Sequence, residues 1–165
     1  MPRVLFSQLP PHARVWVFAA ARPVTGAAAE RLLAEVDRFL DGWSAHGTPL
    51  TSGREWYDDH FLTIGVDQSA AGASGCSIDG LFRTLQRLEP ELGTSLVGGG
   101  RVYYRDISGE VRTASRDEFS ELATRGAVTK RTRVFDPTVP TRGDWEARFE
   151  TEAGKSWHAQ LMGKG

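Results

Sequence analysis

The sequence predicts an α+β fold, a ferredoxin-like split β-α-β-β-α-β sandwich followed by a small C-terminal annex of helix and strand. Three observations predict it. Leu32, Leu33, Val36, Phe39, Leu40 and Trp43, and later Ile78, Leu81, Phe82, Leu85 and Leu88, recur at three- and four-residue spacing, the mark of two amphipathic helices. Between them, residues 54–57 and 60–66 read as strands joined by the tight acidic turn Asp58-Asp59. The runs 15–20 and 102–105, rich in Val and aromatic residues, supply a first and a fourth strand. The order is strand, helix, strand, strand, helix, strand, with both helices on one face of an antiparallel sheet.

Each element has local punctuation. Pro2, Pro10 and Pro11 remove backbone donors, so residues 1–13 read as a loose N-terminal arm. Thr25 is placed to cap the first helix, which Gly47 and Pro49 end. Small residues at 69–75 lead into the second helix, and Gly93 and Gly98-Gly99-Gly100 close it. Ser115 and Glu118 form a capping box for a short helix whose apolar side is Phe119 and Leu122 and whose stop is Gly126. Val134-Phe135 reads as a strand, and a tail with Trp145, Phe149 and Trp157 is expected to pack back on the body. The expected division is an arm at 1–13, an α+β core at 14–106 and an annex at 107–165.

The 165 residues are 40% apolar and 25% charged, with twenty Lys and Arg against twenty-one Asp and Glu. A net charge of −1 argues against the strong basic field that holds nucleic acid or an anionic membrane. The longest apolar run, 15–21, is too short to span a bilayer. Arg3, Arg14 and the Ala19-x-Ala21 spacing touch on a signal-peptide pattern, but Pro10, Pro11 and His12 interrupt it, so a cytoplasmic first strand is expected. One cysteine excludes an internal disulfide and agrees with a reducing compartment.

No nucleotide loop is present in the sequence. Gly98-Gly99-Gly100 is followed by Arg101 and strand-like Val102-Tyr103-Tyr104 rather than Lys and Ser or Thr, and Tyr103 stands where a dinucleotide fingerprint needs its third glycine. Scattered His and one Cys show no metal-ligand spacing, so neither metal nor cofactor is expected. Lys130, Arg131 and Arg133 read as a short solvated basic run, without the interleaved aromatics of a nucleic-acid surface.

The start of the second helix is more informative. Gly75, Cys76 and Ser77 offer unpaired amides that could hold an anionic group, and a thiol in a first helical turn is acidified by the helix dipole. Asp79 is placed to orient an imidazole, and His46 or His158, each close after a tryptophan, could act as base. Trp43 and Trp157 are candidate pocket walls. The bland readings stand beside these: a compact Cys closing a helix–sheet contact, a His46 that ends a helix, and a His158 at the surface. His60, after Asp58-Asp59, reads as turn chemistry.

The strings Trp43-Ser-Ala-His-Gly47, Gly75-Cys-Ser-Ile-Asp79, Ser115-Arg-Asp-Glu-Phe119 and Ser156-Trp-His158 together resemble a family of small bacterial proteins of unassigned activity, often labelled "ABC transporter ATPase". The resemblance runs over about residues 15–158. It implies that Trp43, His46, Cys76, Asp79, Trp157 and His158 belong to the family's recurring strings, and it supplies no reaction. The ATPase label requires a phosphate loop that the sequence lacks. A weaker resemblance links residues 109–135 to small peptide-binding modules.

Three functions are therefore expected in competition. The first is a cytoplasmic ligand-binding or regulatory domain that holds a small anionic ligand through Gly75, Cys76 and Ser77, with Trp43 and Trp157 as walls. The second is a cysteine-nucleophile enzyme for acyl transfer or hydrolysis, with Cys76, His46 or His158, and Asp79. The third is a protein-interaction domain acting through its C-terminal annex. Neither nucleic acid nor membrane is an expected partner, and an available edge strand leaves a homodimer open.

Overall fold

The computed structural model describes residues 3–69, 73 and 75–163, with Gly75 and Cys76 described by backbone alone. The fold is α+β, and the chain forms two compact units, Met1–Gly98 with Thr138–Glu146, and Gly99–Pro137 with Ala147–Gly165. Among the described residues no helix is long and apolar enough to cross a membrane.

In the first unit β1 (Arg14–Ala19), β4 (Thr51–Tyr57) and β5 (Phe61–Asp67) form an antiparallel sheet in the order β1-β5-β4. Helices α1 (Gly26–Asp41) and α2 (Gly75–Leu92) cover one face. Leu32, Val36, Leu40, Leu81, Leu85 and Leu88 pack there with Phe18, Leu62, Ile64 and Val66, so both apolar stripes are buried as their periodicity requires. The β4–β5 turn places Asp58 and Asp59 in the left-handed region, and His60 Nδ1 donates to the Asp58 carbonyl at 2.9 Å. That fixes the tautomer of His60 and confirms its turn role.

Two local expectations are corrected. Thr25 stands at the N-cap of α1, but its hydroxyl makes no capping bond. The helix also ends earlier, at Asp41, because residues 44–49 fold into a miniature hairpin of β2 (Ser44–Ala45) and β3 (Thr48–Pro49). Gly47, at φ 79°, turns that hairpin rather than ending the helix, and His46 precedes it at φ 52°.

The segment expected as a loose arm is packed. Phe6 and Leu9 are buried, and the Val4 amide donates to the Ser52 carbonyl at 2.8 Å. They lie on the sheet face opposite the helices, where Gly53 and Gly65 leave room: a Cβ on Gly53 would stand 2.8 Å from the Val4 carbonyl oxygen, and one on Gly65 would stand 2.6 Å from Leu9 Cδ1. On the free edge of β1, Arg14 bridges Thr141 and the Val15 amide donates to the Pro140 carbonyl at 3.0 Å. Trp145, in the helix α4 (Arg142–Arg148), meets the rings of Phe6 and Tyr57 edge-on.

The fourth strand of the expected ferredoxin-like sheet is a correction. β6 (Arg101–Arg105) belongs to the second unit, whose sheet runs β7-β6-β8-β9 with β7 (Val111–Ser115), β8 (Arg133–Phe135) and β9 (Glu150–Glu152). The reason is local. Residues 106–110 close a tight turn, with Asp106 N donating to the Glu110 carbonyl at 2.9 Å, so β6 finds its nearest chain neighbour as a partner before any distant strand. The third helix, α3 (Arg116–Thr124), lies on this sheet and seats Phe119 among Val102, Val128 and Val134.

Its capping box forms as read from the sequence: the Glu118 amide donates to Ser115 Oγ and the Ser115 amide donates to Glu118 Oε1, both at 3.1 Å. Ser115→Ala is expected to cost about 1 kcal/mol, read as a lower unfolding midpoint, while Glu121→Ala, at an exposed position outside the cap, serves as the comparison on the same helix.

Candidate functional site

The residues singled out at the start of α2 are only partly brought together. Trp43 is buried and donates its indole N–H to the Ser77 carbonyl at 3.0 Å, which pins the first turn of α2 to the end of α1. Its ring rests against Phe39 at 5.3 Å, so it is a core clasp rather than the wall of an open pocket. Asp79 is exposed one half-turn further on. The side chain of Cys76 lies outside what the structure describes, and so does the geometry of any group around the thiol. His46 is exposed at the tip of the β2–β3 hairpin.

In the second unit, Trp157 and His158 sit together. The His158 ring is wholly buried, stacked on Trp157 with centroids 3.8 Å apart, and edge-on to Phe119. This corrects the reading of His158 as a surface residue. The Ser156 hydroxyl and His158 Nδ1 are 2.7 Å apart, whereas Nε2 is buried without a hydrogen-bond partner among the described residues. Burial pushes the imidazole down to about 4, with the Arg116 charge adding to that and the Asp136 carboxylate opposing it. The ring thus packs the tail against Trp157 and Phe119. Trp157 donates its indole N–H to Asp136 Oδ1 at 3.1 Å, and Arg148 holds the other oxygen at 2.9 Å. Arg116 lies 5.1 Å over the Trp157 ring.

The second unit also carries an open groove of about 440 Å³ between the β6–β7 turn and the loop entering β8. Arg105, Arg131 and Arg133 line it, with Asp106 as the one carboxylate of the lining. Asp106 is occupied: Arg112 Nε is 2.7 Å from Oδ2, and the Ser108 and Glu110 amides donate to Oδ1. Arg105 makes a forked pair with Glu150, at 2.7 and 3.0 Å, and its remaining nitrogen donates to the Gly109 carbonyl. Arg133 shares the same carboxylate at 3.4 Å, so two guanidiniums face one anion. Arg131 is exposed and makes no ion pair among the described residues. Arg112 also pairs with Glu110 at 3.3 Å, so with these partners counted the groove keeps a surplus of about one positive charge.

Its loop is held in place before any partner arrives. Thr129 N donates to Thr132 Oγ1 at 2.8 Å, and Arg131 N donates to Thr129 Oγ1 at 3.2 Å. The Lys130 and Thr132 carbonyls accept from the Gly154 and Ala153 amides, both at 2.8 Å. At the rim Ile107 is fully exposed. The sequence offered one signal for this groove, the run Lys130, Arg131, Arg133, but its other half is contributed from 25 residues earlier in the chain. Among the described residues no cluster of His, Cys, Asp and Glu could hold a metal ion. No family model, no curated protein and no solved structure matches this chain.

Proposed function

We propose that this chain is a protein-interaction module whose second unit binds an acidic segment of a partner protein in the Arg105–Arg131–Arg133 groove. The observation that carries the reading is the positive surplus on a pre-ordered loop. The Arg105 and Arg133 guanidiniums, already fixed by Glu150 and Gly109, lose little freedom on meeting a carboxylate, and the backbone that carries Arg131 is locked by its threonines. Charge balance agrees, since the second unit holds eleven Lys and Arg against eight Asp and Glu, while the first holds nine against thirteen. Ile107 at the rim offers an apolar contact beside the charges, which favours a segment that alternates acidic and aliphatic residues.

The test is fluorescence anisotropy with a labelled Glu/Leu peptide, its Gln/Leu counterpart and oligouridylate. The Glu/Leu peptide is expected to bind best, and Arg131→Glu to weaken it about tenfold, because reversing an unpaired surface charge both removes attraction and adds repulsion. Arg131 is exposed, so the variant keeps the fold. Equal binding by Arg131→Glu, or tighter binding of the oligouridylate, would overturn the proposal.

A further inference from the structure

A second groove, of about 660 Å³, lies on the helical layer of the first unit, and its lining is Phe39 of α1 with Gly80, Arg83, Thr84, Gln86 and Arg87 of α2. That is an ordinary volume for a small-molecule site.

Gly80 stands in the interior of α2, where glycine is less stable than alanine. Nothing in the fold requires it. Its φ is not left-handed, and the nearest atoms to an added Cβ would be the Phe39 ring at 3.7 Å and Arg83 Nη2 at 3.9 Å, which are ordinary contacts. The absent side chain leaves the edge of the half-buried Phe39 ring open to the groove.

Arg83 and Arg87 are one helical turn apart on the same face, a spacing at which like charges repel. Among the described residues neither forms an ion pair. Asp79 stands one turn before Arg83 on that face, and Glu91, one turn beyond Arg87, is taken by Arg31 at 3.0 Å. Arg87 Nη2 instead donates to Thr84 Oγ1 at 3.4 Å, and that hydroxyl donates to the Gly80 carbonyl at 2.9 Å, which leans the guanidinium toward the groove floor. An open aromatic floor, a glycine that costs stability and two guanidiniums without an ion pair among the described residues thus coincide in one place.

We infer that this groove binds a small anion with a flat apolar body, such as an aryl phosphate, sulfonate or carboxylate. The body lies on Phe39 in the space above Gly80, and the oxyanion is held by Arg83 and Arg87. This site is independent of the groove in the second unit.

Calorimetric titration with 1-naphthyl phosphate, inorganic phosphate and 1-naphthylmethanol tests it on the full chain. The naphthyl phosphate is expected to bind saturably and more tightly than either fragment. Arg83→Gln with Arg87→Gln is expected to weaken it about tenfold or more, as for loss of charge-assisted contacts. Gly80→Leu is expected to abolish binding by filling the floor, while melting no lower than the natural chain. Gly80→Ala is expected to raise the melting temperature by about 3 °C. Absence of saturable binding, equal binding by a Gly80→Leu chain that melts normally, or binding of 1-naphthylmethanol as tight as that of the phosphate ester would each overturn the inference.

Discussion

Acidification from pH 7 to pH 5 is expected to remove about 2 kcal/mol of stability through one side chain, His158, and about 3 kcal/mol by the time the pH has fallen below 4. The ring is wholly buried, and burial holds its folded-state value at about 4, below the ordinary 6.5 of an exposed imidazole. Between those values the unfolded chain binds a proton that the folded chain refuses. Stability is therefore full above about pH 6.5 and is lost as the pH falls toward 4, with a slope near 1.4 kcal/mol per pH unit. Asp37 and Asp106, whose hydrogen bonds to Arg54 and Arg112 hold them below the ordinary carboxylate range, begin their own losses only at lower pH. The difference between the natural chain and a His158 variant from pH 6.5 to pH 5 therefore reads this one imidazole. Urea unfolding followed by tryptophan fluorescence at pH 7 and pH 5 checks this. His158→Phe keeps the ring stack on Trp157 and the edge contact to Phe119 but carries no titrating nitrogen, so its pH slope in this interval should be shallower than that of the natural chain by about 1 kcal/mol per unit or more. Equal slopes would mean that His158 is protonated without strain and is not enclosed as described.

Gly53→Ala is expected to destabilise the first unit by about 1–3 kcal/mol, the range for overpacking a fitted interior, and so to lower its melting temperature by about 3–10 °C. The new methyl would meet the Val4 carbonyl oxygen at 2.8 Å and the Phe6 backbone at 3.2 Å, and backbone cannot step aside as a side chain can. Relief requires the N-terminal segment to lift, which breaks the bond from the Val4 amide to the Ser52 carbonyl and uncovers Phe6. Gly65→Ala makes a useful contrast. Its closest contact is Leu9 Cδ1 at 2.6 Å, the far end of a side chain that can change rotamer, so its cost should be the smaller of the two. Thermal melts of both variants order them. A Gly53→Ala protein that melts with the natural chain would contradict the placement of residues 3–9 against the sheet.

These two positions also show where the sequence was legible and where it was not. Elements specified by their own neighbours were readable: the stripes of α1 and α2, the acidic turn of the β4–β5 hairpin and the Ser115–Glu118 box each follow from spacings of two to four residues. Elements specified by distant partners were not. Val102-Tyr103-Tyr104 is strand-like wherever it pairs, and only the turn at 106–110 and the late strand β8 decide that it joins the second sheet. Phe6 and Leu9 have no periodicity to announce burial; their signal is on the receiving side, in two glycines set within otherwise regular strands. The same distinction holds for function. The adjacency of Trp157 and His158 was visible, but their enclosure depends on Phe119 and Asp136, far away in the chain. Arg131 and Arg133 looked like a solvated run because the residues that make them a groove, Arg105 and Glu150, are 26 and 17 residues away from the nearer of the two.

The central claim, that the second unit receives an acidic segment between the β6–β7 turn and the loop at 129–133, is tested most directly by backbone amide NMR of the full chain during titration with a Glu/Leu peptide. Saturable shifts are expected, concentrated at residues 105–109 and 129–133, weakened by salt and lost in Arg131→Glu. Shifts centred elsewhere, or none at millimolar peptide, would contradict it.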